Sequence, residues 1–500
     1  MDTQNNQPQS KATDATQTAS QEVGYVISSK DYLASLDGLP NVRIHDLVET
    51  EQGERAVVNA LFKNHTEVFL LDEANVYPGE QFSFTGKHLT IPVGDFLLGR
   101  VVNPLMVPID GKGMIGKTQS QVFELEQGAR GIRTREFINQ QFLTGITLVD
   151  TLVPLGRGQR ELVIGDGHSG KTSFLSNCII NAKKNDTICI YAAIGKPTNA
   201  IKAFINVLQT NDALKHTVVI ASSSTQSPPL ILLTPQAAMT VAEYFQKQGK
   251  DVLVILDDMG IHAKIYRELS LLGNRSPGRE SYPGDIFYQH AKLLERAGRF
   301  TKEFGGGSIT AMPVVEITMT DFTSFIPTNL MSITDGHLLF KSNLYNKNQR
   351  PAIDISLSVS RVGRQTQNVV NNLLSRRIRQ TLAVGEERET LSRFSSELSP
   401  ETQKVLRQKG LIEEIIRQEN LSSIPLSIQS VLFAMVYTKF FEDKNDVFLK
   451  KHKAALIASL KVDPLLSITD AVELLHSDTE LINLIENAAE KFATVWGGLE

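Results

Sequence analysis

The sequence has little that would tie it to an oxidising compartment or to a lipid bilayer. It holds two cysteines in 500 residues, Cys178 and Cys189. Both fall in apolar stretches that read as a core helix and a core strand, so packed thiols in a reducing, intracellular setting are expected, ahead of a disulfide or a reactive thiol. No apolar run approaches the ~18 uninterrupted residues that a spanning helix needs. The best stretch, "SVLFAMVYTKFF" (430–441), is short and carries Lys439. Membrane contact is therefore expected only through a complex. The first twenty residues lack a hydrophobic stretch and no arginine precedes Arg43, so neither a secretory signal nor a basic transit peptide is expected. Residues 1–22 read as a polar, disordered tail. Excess charge is scarce as well, with a formal net charge of −4, which argues against a protein whose main partner is nucleic acid.

What is present is length, and a pattern that changes twice. A polypeptide of 500 residues exceeds what one core usually covers. Residues 23–92 carry short β-rich runs such as "YVISS", "RAVVNALF" and "EVFLL", spaced by turn residues as in a small barrel or sandwich. From 93 to 363, apolar strands alternate with amphipathic helices: "ELVIG", "TICIYAAIG", "HTVVIASSS", "DVLVILDD", "SITAMPVV". That rhythm predicts a largely parallel sheet covered on both faces, a multidomain α/β protein. Within it, "TPQAAMTVAEYFQKQG" (234–249) reads as a crossover helix opened by its Thr-Pro pair. Over 364–500 helical periodicity takes over, with Ile428, Val431, Leu432, Met435 and Val436 on one stripe.

The chemistry begins at "GDGHSGKT": Gly165, Asp166, Gly167, His168, Ser169, Gly170, Lys171 and Thr172. Strand, glycine loop and helix bring backbone N–H groups and a positive helix end onto an anion, the arrangement of a P-loop. Lys171 is expected to reach the β- and γ-phosphates of ATP or ADP, and the Thr172 hydroxyl to ligate Mg2+. Asp257, directly after the apolar run of "DVLVILDD", is the expected metal-linked carboxylate, with Asp258 as its neighbour or a helix cap.

"VDTLVPLGRGQRELVIGDGHSGKT", "SPGRESYPGDIFYQHAKLLERAG", "GGGSITAMPVVE", "IPTNLMSITDGHLLF" and "QRPAIDISLSVSRVGRQTQ" closely resemble the α subunit of F-type rotary ATP synthases, and "PVGDFLLGRVVNPLMVPIDGKG" does too. The resemblance runs from about residue 23 into the C-terminal helices. It implies an N-terminal β-barrel, a RecA-like nucleotide-binding core and a C-terminal helical bundle. It also implies a three-plus-three ring with a catalytic β-type subunit, a central rotor shaft facing the loop 273–285, and a peripheral stalk as a further candidate partner. The place implied is peripheral to an energy-transducing membrane, on the cytoplasmic side in a bacterium, in a complex that moves protons or sodium ions.

Hydrolysis in such a core needs a group that orients and helps deprotonate water, normally a carboxylate on the strand next to the P-loop strand. In the family's catalytic subunit a Glu follows the glycine ending that strand; here "TICIYAAIG" is followed by Lys196, where α subunits usually have Gln. An ammonium cannot accept the proton. A nucleotide held and not split is therefore expected, with Glu268 and Glu316 as the alternative acids. The family's Arg and Gln are replaced by Gly167 and His168.

The resemblance further implies that Arg361, in "SLSVSRVG", reaches the γ-phosphate in the neighbouring catalytic subunit, and that Ser358 occupies a position tied to activity. Arg350 and Pro351 match the region packing near the adenine. Competing readings are a self-sufficient hexameric ATPase motor of secretion type, which would need an acid at position 196, a Rho-like RNA translocase, and a ring ATPase serving another motor. Residues 23–92 lack the basic and aromatic interleaving an RNA-binding barrel would carry.

Overall fold

Short strands with their inward side chains buried close the N-terminal segment into a barrel. The computed structural model describes residues 22–72, 76–115, 120–318, 322–392, 399–462 and 466–488. Of the expected tail, residues 1–21 lie outside the described residues, and Glu22 accepts a hydrogen bond from Asn41 N. The strands are β1 (Val23–Lys30), β2 (Leu33–Gly38), β3 (Asp46–Thr50), β4 (Arg55–Leu61), β5 (Thr66–Leu70) and β6 (Gln81–His88), closed in the order β1-β2-β5-β4-β3-β6. Closure leaves no free sheet edge. Val26, Leu36, Val48, Val58, Val68 and Phe82 fill the interior. The barrel is one compact unit, and the polypeptide from Thr90 onward is a second.

The main sheet of the second unit is built of β7 (Val101–Val102), β8 (Glu161–Asp166), β9 (Ile188–Lys196), β10 (Thr217–Ser223), β11 (Asp251–Asp257), β12 (Gly298–Arg299), β13 (Ser308–Ile317), β14 (Gly336–Phe340) and β15 (Val359–Ser360). Their order is β15-β14-β8-β13-β11-β9-β10-β7, with β12 paired to β13. All pairs are parallel except β12·β13 and β14·β15. The central strands are apolar almost throughout because helices cover both faces. The strand that follows the P-loop strand in the sequence, β9, is not its neighbour in the sheet. β13 and β11 lie between them, which corrects the expected adjacency.

The covering helices include α1 (Lys171–Ala182), α2 (Thr198–Thr210), α3 (Pro228–Lys247) and α4 (Met259–Leu272). α3 starts earlier than its Thr-Pro pair predicts. Pro228 and Pro229 occupy its first turn, where a missing N–H costs nothing. Pro235 lies inside the helix, where Thr234 Oγ1 donates to Leu230 O. Cys178 on α1 and Cys189 on β9 are buried, free thiols.

The C-terminal part is helical: α5 (Val369–Ser392), α6 (Pro400–Ile416), α7 (Leu426–Met435), α8 (Asp446–Ser459), α9 (Leu466–Ala471) and α10 (Asp478–Asn487). Leu374, Ile415, Val431 and Leu481 share one apolar cluster with Leu148, Val163 and Phe174 of the sheet region. A buried polar joint reinforces it. Asp150 accepts from Thr144 N, Thr144 Oγ1, Gly145 N and Gln429 Nε2, while Gln418 joins Thr147 N to Gly145 O. No described helix is long and apolar enough to cross a membrane.

Candidate functional site

The glycine loop joins β8 to α1 and is shaped by close contact. A Cβ on Gly165 would stand 2.2 Å from the carbonyl oxygen of Phe340, because β14 runs directly alongside. Gly170, at φ +94°, caps α1 in the left-handed region that glycine enters without steric cost. His168 is also left-handed, at φ +57°, and exposed. Asp166 faces inward: its Oδ2 accepts from Ser342 N and Ser342 Oγ, so it anchors the loop. Ser169 Oγ donates to Asp166 O, and Gly167 packs near Glu316. Lys171 Nζ folds back to donate to Gly165 O and Asp166 O, and lies 3.8 Å from Glu316 Oε2. Burial pulls the Lys171 pKa down, opposed by Glu316, Asp258 and Asp257. Thr172 is exposed on the first turn of α1.

Asp257 ends β11, which pairs with β9 along its length. Its Oδ2 accepts from the hydroxyl of Tyr191 at 2.9 Å. Its Oδ1 lies 2.6 Å from Lys196 Nζ in an ion pair and accepts no hydrogen bond. Asp258 caps α4, its Oδ1 accepting from Gly260 N and Ile261 N and its Oδ2 from Glu316 N. Burial, and then the neighbouring Asp257, push its pKa up to about 6.

Of the two expected magnesium ligands, Thr172 is exposed and open to an ion, whereas Asp257 is a poor donor. Both oxygens of Asp257 are engaged, one of them by a full positive charge, and all three contacts to Asp258 come from backbone N–H groups. No group of three or more His, Cys, Asp or Glu side chains among the described residues is placed to hold a metal. The cavity of about 650 Å³ beyond the loop is lined by Lys196, Lys264, Glu316 and Glu280, but not by Asp257. Glu268, the other candidate acid, is exposed on α4 and does not line it.

On the other side of the loop, Ser169, Gly170, Phe174, Tyr345, Arg350 and Pro351 line a cleft with residues 418–422. The Arg350 guanidinium sits 5.0 Å over the Tyr345 ring. Flat apolar and cationic surfaces of this kind suit a planar base.

Arg361 and Ser358 stand apart from this constellation. Arg361 follows β15, whose Ser360 pairs with Gly336, and Gly336 pairs with Glu161 at the start of β8. Gly165 lies four residues further along β8, roughly 13 Å away at strand rise, beyond the length of an arginine side chain. Arg361 is exposed, and its guanidinium makes no hydrogen bond or ion pair with the described residues, although its field reaches buried Glu161. Ser358 is buried, its Oγ accepting from Leu339 N.

The structure thus gathers the loop, Lys196, Asp257 and Glu316 at one end and Arg350 and Pro351 at the other. Tyr191 escaped sequence reasoning. Its signal was a phenol inside an otherwise apolar buried strand, where a hydroxyl needs a partner.

Two family models match the sequence. One is the nucleotide-binding domain of the ATP synthase alpha/beta family, over residues 145–360, and the other is the C-terminal domain of that family, over 367–492. The protein is 42% identical over 400 residues to the ATP synthase subunit alpha of Mycoplasma pneumoniae, a match covering 80% of its length and 77% of the relative's. It is 41% identical over 442 residues to that of Caldanaerobacter subterraneus, covering 88% and 86%. Against that of Acholeplasma laidlawii the identity is 41% over 426 residues, covering 85% of each.

Proposed function

This chain belongs to the ATP synthase alpha/beta family, and we propose that within it the protein is an F-type α subunit that holds a nucleotide without splitting it. In this reading it alternates with a catalytic β-type subunit in a three-plus-three ring around a rotor shaft. The ring links rotation to proton or sodium movement, and the protein meets the membrane only through that complex.

One observation carries the non-catalytic part. The position from which an acid would activate water holds Lys196, and its ammonium is committed to Asp257 at 2.6 Å. A lysine so placed withdraws no proton from water, and it attracts the polyphosphate instead. The first turn of α1 and Lys171 hold the phosphates, and Lys171 exchanges its carbonyl partners for phosphate oxygens when the nucleotide enters. Tyr345, Arg350 and Pro351 receive the base.

Arg361 acts outside its own subunit. It is too far from its own loop and exposed, and its guanidinium has no hydrogen-bonding partner among the described residues. A guanidinium presented to a neighbour's γ-phosphate neutralises charge that develops in the transition state. Ser358 supports it from within, by fixing the backbone of β14 that pairs with the strand leading to Arg361. The largely exposed loop 273–285 is the surface offered to the shaft.

A second reading, a protein that hydrolyses ATP unaided, rests on Glu316, whose carboxylate lies 3.8 Å from the Lys171 ammonium. Steady-state hydrolysis by the purified full-length protein, alone and with its catalytic partner, separates the two. Turnover only in the partnered ring supports the first. Turnover by the isolated protein, lost in Glu316→Gln, supports the second.

A further inference from the structure

We propose that this site takes its nucleoside di- or triphosphate without a divalent metal, the ammonium of Lys196 supplying the positive charge that magnesium would bring. The proposal deepens the nucleotide-holding reading and rests on it.

Three observations converge. First, Asp257 is only 3% exposed, while Lys196 is 21% exposed and lines the cavity that Asp257 does not reach. Of this pair, the group the cavity meets is therefore the ammonium, on a wall that also carries Asp258, Glu280 and Glu316. Second, each carboxylate oxygen already faces a partner, Oδ2 through a hydrogen bond and Oδ1 through an ion pair alone. Tyr191 donates to Oδ2 and Lys196 neutralises Oδ1, so a water shell around a metal would find one spent acid where it needs a free anion. Third, the neighbouring acids are also committed. Asp258 accepts three backbone N–H groups, Glu280 accepts from Phe325 N, and Glu316 faces the Lys171 ammonium.

A divalent ion entering here would have to displace Lys196 from Asp257 or lie beside two ammonium groups, Lys196 and Lys171. Like charges at such separation repel strongly where water is partly excluded. The metal-free polyphosphate carries more negative charge than its magnesium complex. It would meet Lys196 and Lys264 on the cavity wall, with Lys171 behind them on the loop, 3.8 Å from the wall residue Glu316.

The test is calorimetric titration of the nucleotide-stripped full-length protein with ATP, once in excess Mg2+ and once in excess EDTA. The expected result is a dissociation constant that differs by less than about 3-fold between the two buffers, which corresponds to under ~1 kcal/mol. Lys196→Gln keeps a polar group on the strand end but frees Asp257, and is expected to bind ATP at least about 10-fold more tightly with Mg2+ than without. Adding Asp257→Asn to that variant should remove the new metal dependence. Binding by the wild-type protein that weakens 10-fold or more in EDTA would overturn the proposal and leave the nucleotide-holding reading intact. An absence of binding in both buffers would overturn that reading, and this proposal with it.

Discussion

Lys196 reaches across from β9 to set its ammonium 2.6 Å from a carboxylate oxygen of Asp257 on the adjacent strand. The two groups are unequally buried, the carboxylate at 3% exposure and the ammonium at 21%. Removing the lysine strands a buried anion, whereas removing the carboxylate leaves a cation that can turn toward water. Lys196→Met is therefore expected to destabilise the fold by about 3 kcal/mol and Asp257→Asn by less, roughly 1 to 2 kcal/mol. Denaturant unfolding of both variants and of the double variant checks the order. Equal costs for the two single variants would show that the pair is not the buried unit described.

Arg361→Ala in the assembled ring is expected to reduce ATP turnover by about 10³-fold or more, the scale of a lost arginine finger. Binding of ATP to the isolated protein should stay unchanged, since Arg361 lies at the other end of the strands from its own loop. A ring that keeps near-normal turnover removes Arg361 from the mechanism.

Lys171→Gln should weaken ATP binding to this subunit by roughly 10- to 100-fold, the loss of charged hydrogen bonds to phosphate. On the proposed reading, in which the site so weakened is not the one that reacts, turnover of the ring should persist. Measuring bound nucleotide and ring turnover on the same preparation tests both halves.

Gly165→Ala places a methyl group 2.2 Å from the Phe340 carbonyl oxygen, a contact that only movement of β8 or β14 can relieve. A loss of about 3 kcal/mol in unfolding free energy is expected, the upper range of overpacking. An alanine variant as stable as the parent would mean the two strands are not held this close.

His262 and His290 face each other in the core at 3.2 Å, and burial lowers their pKa values to about 4 and about 3. Each is neutral in the folded protein and takes up a proton on unfolding below the ordinary histidine value near 6.5. The stability they permit is present above that value and is lost as pH falls from 6.5 toward 4. Asp150 and Asp258, raised to about 6, act in the opposite sense across part of the same window, so the comparison is between variants. His290→Gln removes one proton taken up on unfolding. Relative to the parent it should gain up to about 1.4 kcal/mol per pH unit of acidification within that window. Parallel stability curves for parent and variant would contradict the assignment.

Much of this architecture is legible in the residues alone. Alternating short runs mark the barrel, apolar strands between helices mark the parallel sheet, and "GDGHSGKT" between a strand and an apolar helical stripe marks the loop. What stays hidden depends on which strands lie side by side. Sequence order puts β10 between β9 and β11, yet the sheet pairs β9 with β11, and only that adjacency brings Lys196 and Tyr191 onto Asp257. Asp166 reads as a loop residue open to a ligand, and its bond to Ser342 joins positions 176 residues apart. The start of α3 is misplaced because Thr234-Pro235 is as plausible a first turn as Ser227-Pro228, and only the buried face on both sides of Pro235 decides between them.

The central claim is that this subunit keeps ATP intact, and single-turnover chemistry on the nucleotide-stripped full-length protein tests it most directly. With protein in excess over γ-labelled ATP, the label should remain in bound ATP over the time in which the partnered ring completes many cycles. Release of labelled phosphate by the isolated protein, at a rate near that of the ring per site, would contradict it.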